Sequence, residues 1–257
     1  MTARGIDELF TQVLSGNYED EAPWEAVHAL RNIGTRQVFE RAADLCESND
    51  PLSRARGADV LAQLGKTADH GSNNFPEESY SVMTNLGQRE TEPQPLAAGI
   101  AALGHLGNPL AVPLITSFFS HPGPDVRFDV AFALGCFPNA PLSIETLLRL
   151  MQDTDDDVRD WATFGLGVLG NTDSDEIREG LVRCLNDSDE DVREEAMVGL
   201  GKRKEQRVLS DLMNALERPQ TADRVIEAAY LMLGMTGERK GWKGTDYATA
   251  LRQRFSI

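Results

Sequence analysis

The 257-residue chain carries 41 acidic and 25 basic residues, a formal charge of −16, with 41% apolar and 7% aromatic residues. That apolar share excludes a disordered chain, and the charge excludes nucleic acid as an expected ligand, because phosphate neutralisation needs clustered Lys and Arg. The longest weakly polar stretch, Leu96 to Gly107, is too short to span a bilayer. Residues 1–16 hold no apolar run after their charges, so neither a membrane partner nor a secretory signal is expected. Cys46, Cys136 and Cys184 are far apart and form no C-x-x-C pair, which reads as reduced thiols in a cytoplasmic protein.

In chain order, one pattern returns seven times. Its anchors are Pro23, Arg54, Leu96, Arg127, Arg159, Arg193 and Ile226, at spacings of 31, 42, 31, 32, 34 and 33 residues. The long spacing contains residues 66–75, a polar Gly/Asn/Ser stretch that reads as an inserted loop. Counting from each anchor, positions −1, +3, +7 and +10 are usually apolar, which places them on one face of a helix. Examples are Val126, Val130, Leu134 and Phe137, then Val158, Ala162, Leu166 and Leu169. Gly34, Gly65, Gly107, Gly170 and Gly237 stand at +11, where positive φ would end the helix. A partner helix precedes each anchor helix, as in Ser143 to Gln152 and Asp175 to Leu185, and the turns between them are acidic or Pro-rich. Such a hairpin cannot bury its own apolar stripe, so neighbouring copies must stack. The expectation is an all-α solenoid over residues 1–257, about seven repeats and 15 helices, ending in a capping helix at 242–255. Charge is uneven along it: residues 145–201 hold 16 acidic and 5 basic residues, whereas residues 202–257 hold 7 and 11.

The run D-x-D-V-R-x-x-A-x-x-x-L-G-x-L-G, strongest around Arg127, Arg159 and Arg193, resembles the HEAT repeat in its short phycobilisome-lyase-like form. Asp157 to Leu216 also resembles small stand-alone bacterial HEAT proteins found beside Rhs-type toxin genes. The resemblance implies a right-handed α-solenoid, with first helices on its convex side and second helices on its concave side, that binds other macromolecules. It brings three functions with it: a non-catalytic protein-binding scaffold, with a toxin-neutralising immunity protein as one form; a bilin-lyase-like enzyme or chaperone; and a HEAT-like DNA glycosylase. The acidic concave positions speak against the last.

Four residue sets are candidates for chemistry. The recurring Arg54, Arg127, Arg159 and Arg193 read either as an anion clamp or as a structural ladder, each paired with acidic turn residues of its own or the next repeat, with Asp125, Asp157 and Asp191 at hand two residues before the last three. Calcium loops starting at Asn171 or Asp187 fail at the twelfth position, which is Val182 or Val198 where a bidentate Glu is needed. His28, His70, His105 and His121 are scattered, none is followed by Glu, and no nucleophile or phosphate-loop signature is present. No metal, no cofactor and no catalysis are therefore expected. The last set is the concave stripe at positions +1, +5 and +8, with Trp161 and Glu195 beside it. It contains Trp24, His28, Phe128, Phe132, Asp160, Trp161, Phe164, Glu194, Glu195, Val198, Glu227 and Leu231. These form either an apolar groove with an acidic rim for a protein or peptide, a basic one by charge, or rings packed between repeats beside the +8 glycines. Sequence pattern leaves both open, with a monomer as the default state.

Overall fold

The computed structural model describes residues 5–67, 71–237 and 241–257. Residues 68–70 of the expected inserted loop, with His70, lie outside the described residues. These form 15 α-helices and no strand. One compact unit runs to Phe137. It contains the hairpins α1 (Ile6–Val13) with α2 (Glu21–Ile33), α3 (Arg36–Cys46) with α4 (Pro51–Ala62), α5 (Pro76–Arg89) with α6 (Pro93–Leu106), and α7 (Val112–Thr116) with α8 (Pro124–Gly135). The second unit starts at Pro138. It contains α9 (Pro141–Leu150) with α10 (Asp156–Phe164), α11 (Asp175–Cys184) with α12 (Glu190–Lys202), α13 (Leu209–Leu216) with α14 (Asp223–Leu233), and finally α15 (Gly244–Phe255). Every repeat anchor falls in an even-numbered helix.

Local chemistry explains the helix ends. Asp50, Asp155, Ser174 and Asp189 each accept a hydrogen bond from the backbone N–H three residues on, which satisfies an otherwise orphaned donor. Gly34 and Gly107 close α2 and α6 at φ of 58° and 68°. Gly170 departs from its expected role, because its φ is −67°. Before it, α10 widens into a π-helical turn, Gly165–Leu169, in which Gly170 N–H donates to Gly165 O at 3.0 Å.

The widened turn also shifts the register. Val158, Ala162 and Leu166 are fully buried as expected, but Leu169 is 42% exposed, because five-residue closure rotates it off the core face. In the first unit Val126, Val130 and Leu134 are all buried. Even-numbered helices pack on one another within each unit, α4 on α6 and α6 on α8, then α10 on α12 and α12 on α14. The middle helices are consequently buried around most of their circumference, Ala55 to Ala62 in α4 and Glu194 to Gly201 in α12.

Glycines at +8 permit this approach. A Cβ on Gly104 would lie 2.8 Å from the Ala133 Cα, and one on Gly201 would lie 2.5 Å from the Ala228 carbonyl oxygen.

Candidate functional site

The recurring arginines share one geometry. Each sends Nη1 to the carbonyls six and five residues before it: Arg54 to Ser48 and Asn49, Arg127 to His121 and Pro122, Arg159 to Asp153 and Thr154, Arg193 to Asp187 and Ser188, all within 2.7–3.3 Å. The turn before each even helix is thus pinned from inside. Two arginines also fork onto an acid of the following hairpin, Arg54 onto Glu90 (2.6 and 3.0 Å) and Arg159 onto Asp187 (both 2.8 Å). Both acids stand at the turn of the next repeat, one of the two pairings that a ladder predicts. Asp125 and Asp157 lie exposed in the first turns of α8 and α10, where the positive helix end favours a carboxylate, and Asp191 pairs with Arg224. An arginine on the first turn of a helix reaches back toward the turn carbonyls, away from the acid two positions earlier.

In the first unit one candidate position, Trp24, covers a buried ion pair. Arg56 is fully buried under the rings of Tyr18 and Trp24, with its guanidinium carbon 4.6 and 4.8 Å from their centroids. Its Nη2 donates to the Tyr18 carbonyl at 2.7 Å, and its Nη1 lies 3.6 Å from Asp59 Oδ2. Tyr18 donates its hydroxyl to Asp59 Oδ1 at 3.1 Å, and Arg31 forks onto the Asp59 carbonyl. Burial raises the Asp59 carboxyl to about 6, against the pull of Arg31 and Arg56. Phe132 is half-buried with its ring 5.0 Å from His105, Phe128 is half-buried, and His28 is exposed 6.3 Å from the Trp24 ring. Burial lowers His105 to about 4, so it is neutral at pH 7 and can pair with Gln63 at 3.0 Å.

In the second unit the acidic positions converge on one arginine. Arg224 of α14 pairs with Glu195 (2.7 Å) and Asp191 of α12. Burial raises Glu195 to about 7 and Asp160 to about 6, with Arg224 opposing both shifts and neighbouring carboxylates adding to them. Asp160 Oδ1 is buried without a hydrogen bond. Trp161 and Phe164 meet edge to face at 5.6 Å, both half-buried, as are Glu227 and Leu231.

Three of the expected surface residues are covered instead. Val198 is 2% exposed, Glu195 3% and Glu194 9%. The close approach of α12 to its neighbours at Gly167, Gly199 and Gly201 closes the space above them. Val198 is therefore core, and the accessible part of the stripe here is Asp160, Trp161, Phe164, Glu227 and Leu231.

Two residues that the repeat pattern did not single out complete the π turn. Arg203, almost fully buried, donates to the carbonyls of Leu166, Gly167, Gly199 and Thr172 at 2.8–3.0 Å. Lys202 Nζ donates to Val168 and Gly170 O at 2.7 and 2.9 Å. Two adjacent cations after a Gly-rich helix were the available signal, since cations suit the carbonyl end of a helix. Among the described residues, one carboxylate triad, Asp155, Asp156 and Asp157, brings oxygens within 4.8 Å of one another. It stands at the start of α10, where Asp155 caps Val158, and that accounts for it.

Hairpins of this repeat and packing define an α-solenoid of HEAT type, and the family model for HEAT repeats matches residues 82–167 and 165–234. The chain belongs to the HEAT-repeat family. It is 30% identical over 231 residues to protein YibA of Escherichia coli strain K12, covering 87% of this chain and 79% of YibA. The X-ray structure of E. coli YibA superposes with a TM-score of 0.71 at 27% identity, over 88% of this chain and 81% of that one. Phycocyanobilin lyase subunit alpha of Nostoc is 28% identical over 146 residues, 56% of this chain and 53% of the subunit. No helix among the described residues is long and apolar enough to cross a membrane.

Proposed function

We propose that this protein is a non-catalytic scaffold that binds a basic protein partner on the α10–α12–α14 face of its second unit. The observation that carries the reading is a carboxylate surplus: Asp160, Asp191, Glu195 and Glu227 gather around Arg224, with one Asp160 oxygen lacking a hydrogen bond. A partner's Lys or Arg would relieve the repulsion that Arg224 offsets only in part. Beside it, the Trp161–Phe164 pair supplies an aromatic anchor next to a polar rim, the arrangement typical of interface hot spots. The cytoplasm is the proposed compartment. A toxin-neutralising role, with a basic toxin as the partner, is the specific form that the family resemblance supports. Similarity to the lyase subunit favours a second reading, bilin binding, which a new visible absorbance band on mixing with phycocyanobilin would reveal.

Photo-crosslinking from position 164, with position 179 on α11 as the control, tests the scaffold reading. Position 164 should capture a partner that position 179 does not. For that partner, Phe164→Ala should weaken binding by about 2 kcal/mol. Glu227→Lys should slow association and flatten its salt dependence. Equal capture from both positions, or unchanged affinity in Phe164→Ala, would overturn the assignment.

A further inference from the structure

The second unit has a cleft of about 330 Å³ where the first half of α12 meets the turn between α13 and α14. That turn lacks a rung of the arginine ladder. Glu90 and Asp187 each stand six residues before a repeat anchor and receive the arginine of the preceding repeat. At the same place before Ile226 stands Gln220, which lines the cleft. Among the described residues Arg193 bonds only to the carbonyls of its own turn, so no arginine fork ties this turn to α12 from that position.

One buried acid opens into this space. Glu194 is covered on the concave stripe, 9% exposed, and its carboxylate turns into the cleft instead. It makes no hydrogen bond and no ion pair among the described residues. The nearby cations are bonded elsewhere: Arg218, which also lines the cleft, to Glu190, and Arg224 to Glu195 and Asp191. Burial raises the Glu194 carboxyl, Glu190 adds to the shift, and Arg224 offsets it only in part. A carboxylate so deeply placed without a partner is costly, and a cation in the cleft would remove that cost. The other walls fit a short apolar stem with a polar head. Ala215, Ala222 and Val225 are apolar, Gln220 offers an amide oxygen, and the Thr221 hydroxyl, donating to the Leu216 carbonyl at 3.4 Å, keeps its oxygen free to accept.

We propose that the cleft between α12 and the α13–α14 turn binds a primary alkylammonium group, with Glu194 as its counter-ion. An ammonium suits the cleft better than a guanidinium. It is a compact charge with three donors, matching one carboxylate, one hydroxyl and one amide oxygen, whereas a planar fork needs two acceptors side by side. Its methylene stem would lie along the apolar wall. The group can belong to a free alkylamine or to a Lys side chain of another protein. The site rests on the cleft residues and not on the scaffold reading, which uses Trp161, Phe164 and the acids around Arg224.

The test is an NMR titration of the full-length protein with two probes, n-butylammonium chloride and the peptide acetyl-Gly-Lys-Gly-amide, against sodium chloride at equal ionic strength. Resonances of Thr221, Ala222 and Val225 should shift saturably with at least one probe and not with sodium chloride. Glu194→Gln removes an unpartnered charge at nearly constant shape, so the fold should survive it, and binding should weaken about tenfold or more. Ala222→Leu, at an exposed position on the cleft wall, narrows the space without touching the charge and should weaken binding too. Asp157→Asn, exposed on α10, is the control and should bind as the parent does. Tighter binding of the peptide would identify a Lys side chain as the source, and equal or tighter binding of butylammonium a free amine. Linear, unsaturable shifts with both probes, or parental affinity in Glu194→Gln, would overturn the site. Tighter binding of acetyl-Gly-Arg-Gly-amide than of the lysine peptide would overturn the choice of ammonium. Loss of this site would leave crosslinking from position 164 unchanged, so the two proposals fail separately.

Discussion

The two units use the same hairpin and place their charges differently. Up to Phe137, a charged pair lies inside the fold: Arg56 and Asp59 are buried together under Tyr18 and Trp24. From Pro138 onward, arginines of one hairpin reach acids of its neighbour nearer the surface, as in Arg207–Glu179, Arg218–Glu190 and Arg224–Asp191. A buried pair gains a strong attraction but must first be taken out of water, so losing one member strands the other at high cost. A surface pair is solvated and screened, so each contributes little. The buried pair of the first unit therefore holds α4 in one arrangement against the Tyr18–Trp24 segment, whereas each of these exposed pairs of the second adds little.

The largest expected effect tests the buried pair. Arg56→Met should cost about 3–5 kcal/mol at pH 8, because it leaves the Asp59 carboxylate buried and uncompensated. The sign of its pH dependence follows from Asp59, whose carboxyl is raised to about 6 in the fold. Below its unfolded value near 4 the group is protonated in both states and costs nothing. Between about pH 4 and 6 the unfolded chain releases this proton while the folded protein keeps it, so stability falls across that window and levels off above it. Removing Arg56 raises that carboxyl further, so denaturant melts should show a larger loss at pH 8 than at pH 4.5. An equal loss at both would show that Arg56 acts by packing alone.

Next come the cores, where the units should agree. Leu134→Ala in the first and Leu166→Ala in the second each remove a fully buried side chain and should each cost about 2–5 kcal/mol in denaturant unfolding. A loss of only a few tenths at either would break the shared register on which the comparison depends. The smallest effect is expected for Arg218→Ala, whose pair with Glu190 is half exposed on both sides. It should cost under about 0.5 kcal/mol at low salt and nothing measurable at about 1 M. A loss approaching that of Arg56→Met would end the distinction between the units.

Much of this was legible in the residues. Recurrence of the Val-Arg anchors placed each one in the second helix of a hairpin, and the apolar spacing identified Val126, Val130, Val158 and Leu166 as core. Acidic turns predicted helix caps because an Asp three residues before a free N–H needs no distant partner. Where the reading failed, the cause was a contact from elsewhere in the chain. Leu169 and Gly170 follow the repeat consensus, yet Lys202 and Arg203, more than 30 residues on, bind the carbonyls of Val168 and Gly170 at a π turn.

The concave stripe shows the same division. Periodicity assigned Val198, Glu194 and Glu195 to one side of a helix, but exposure there depends on how near the neighbouring helices come, and three glycines decide that. The sequence by itself determined the helices, their ends and the face each turns inward, since those depend on residues within a turn or two of one another. Tertiary structure alone decided which charges are buried and which acid each arginine meets. Those depend on the distance between helix backbones, and that distance is set by the joint packing of residues from several repeats.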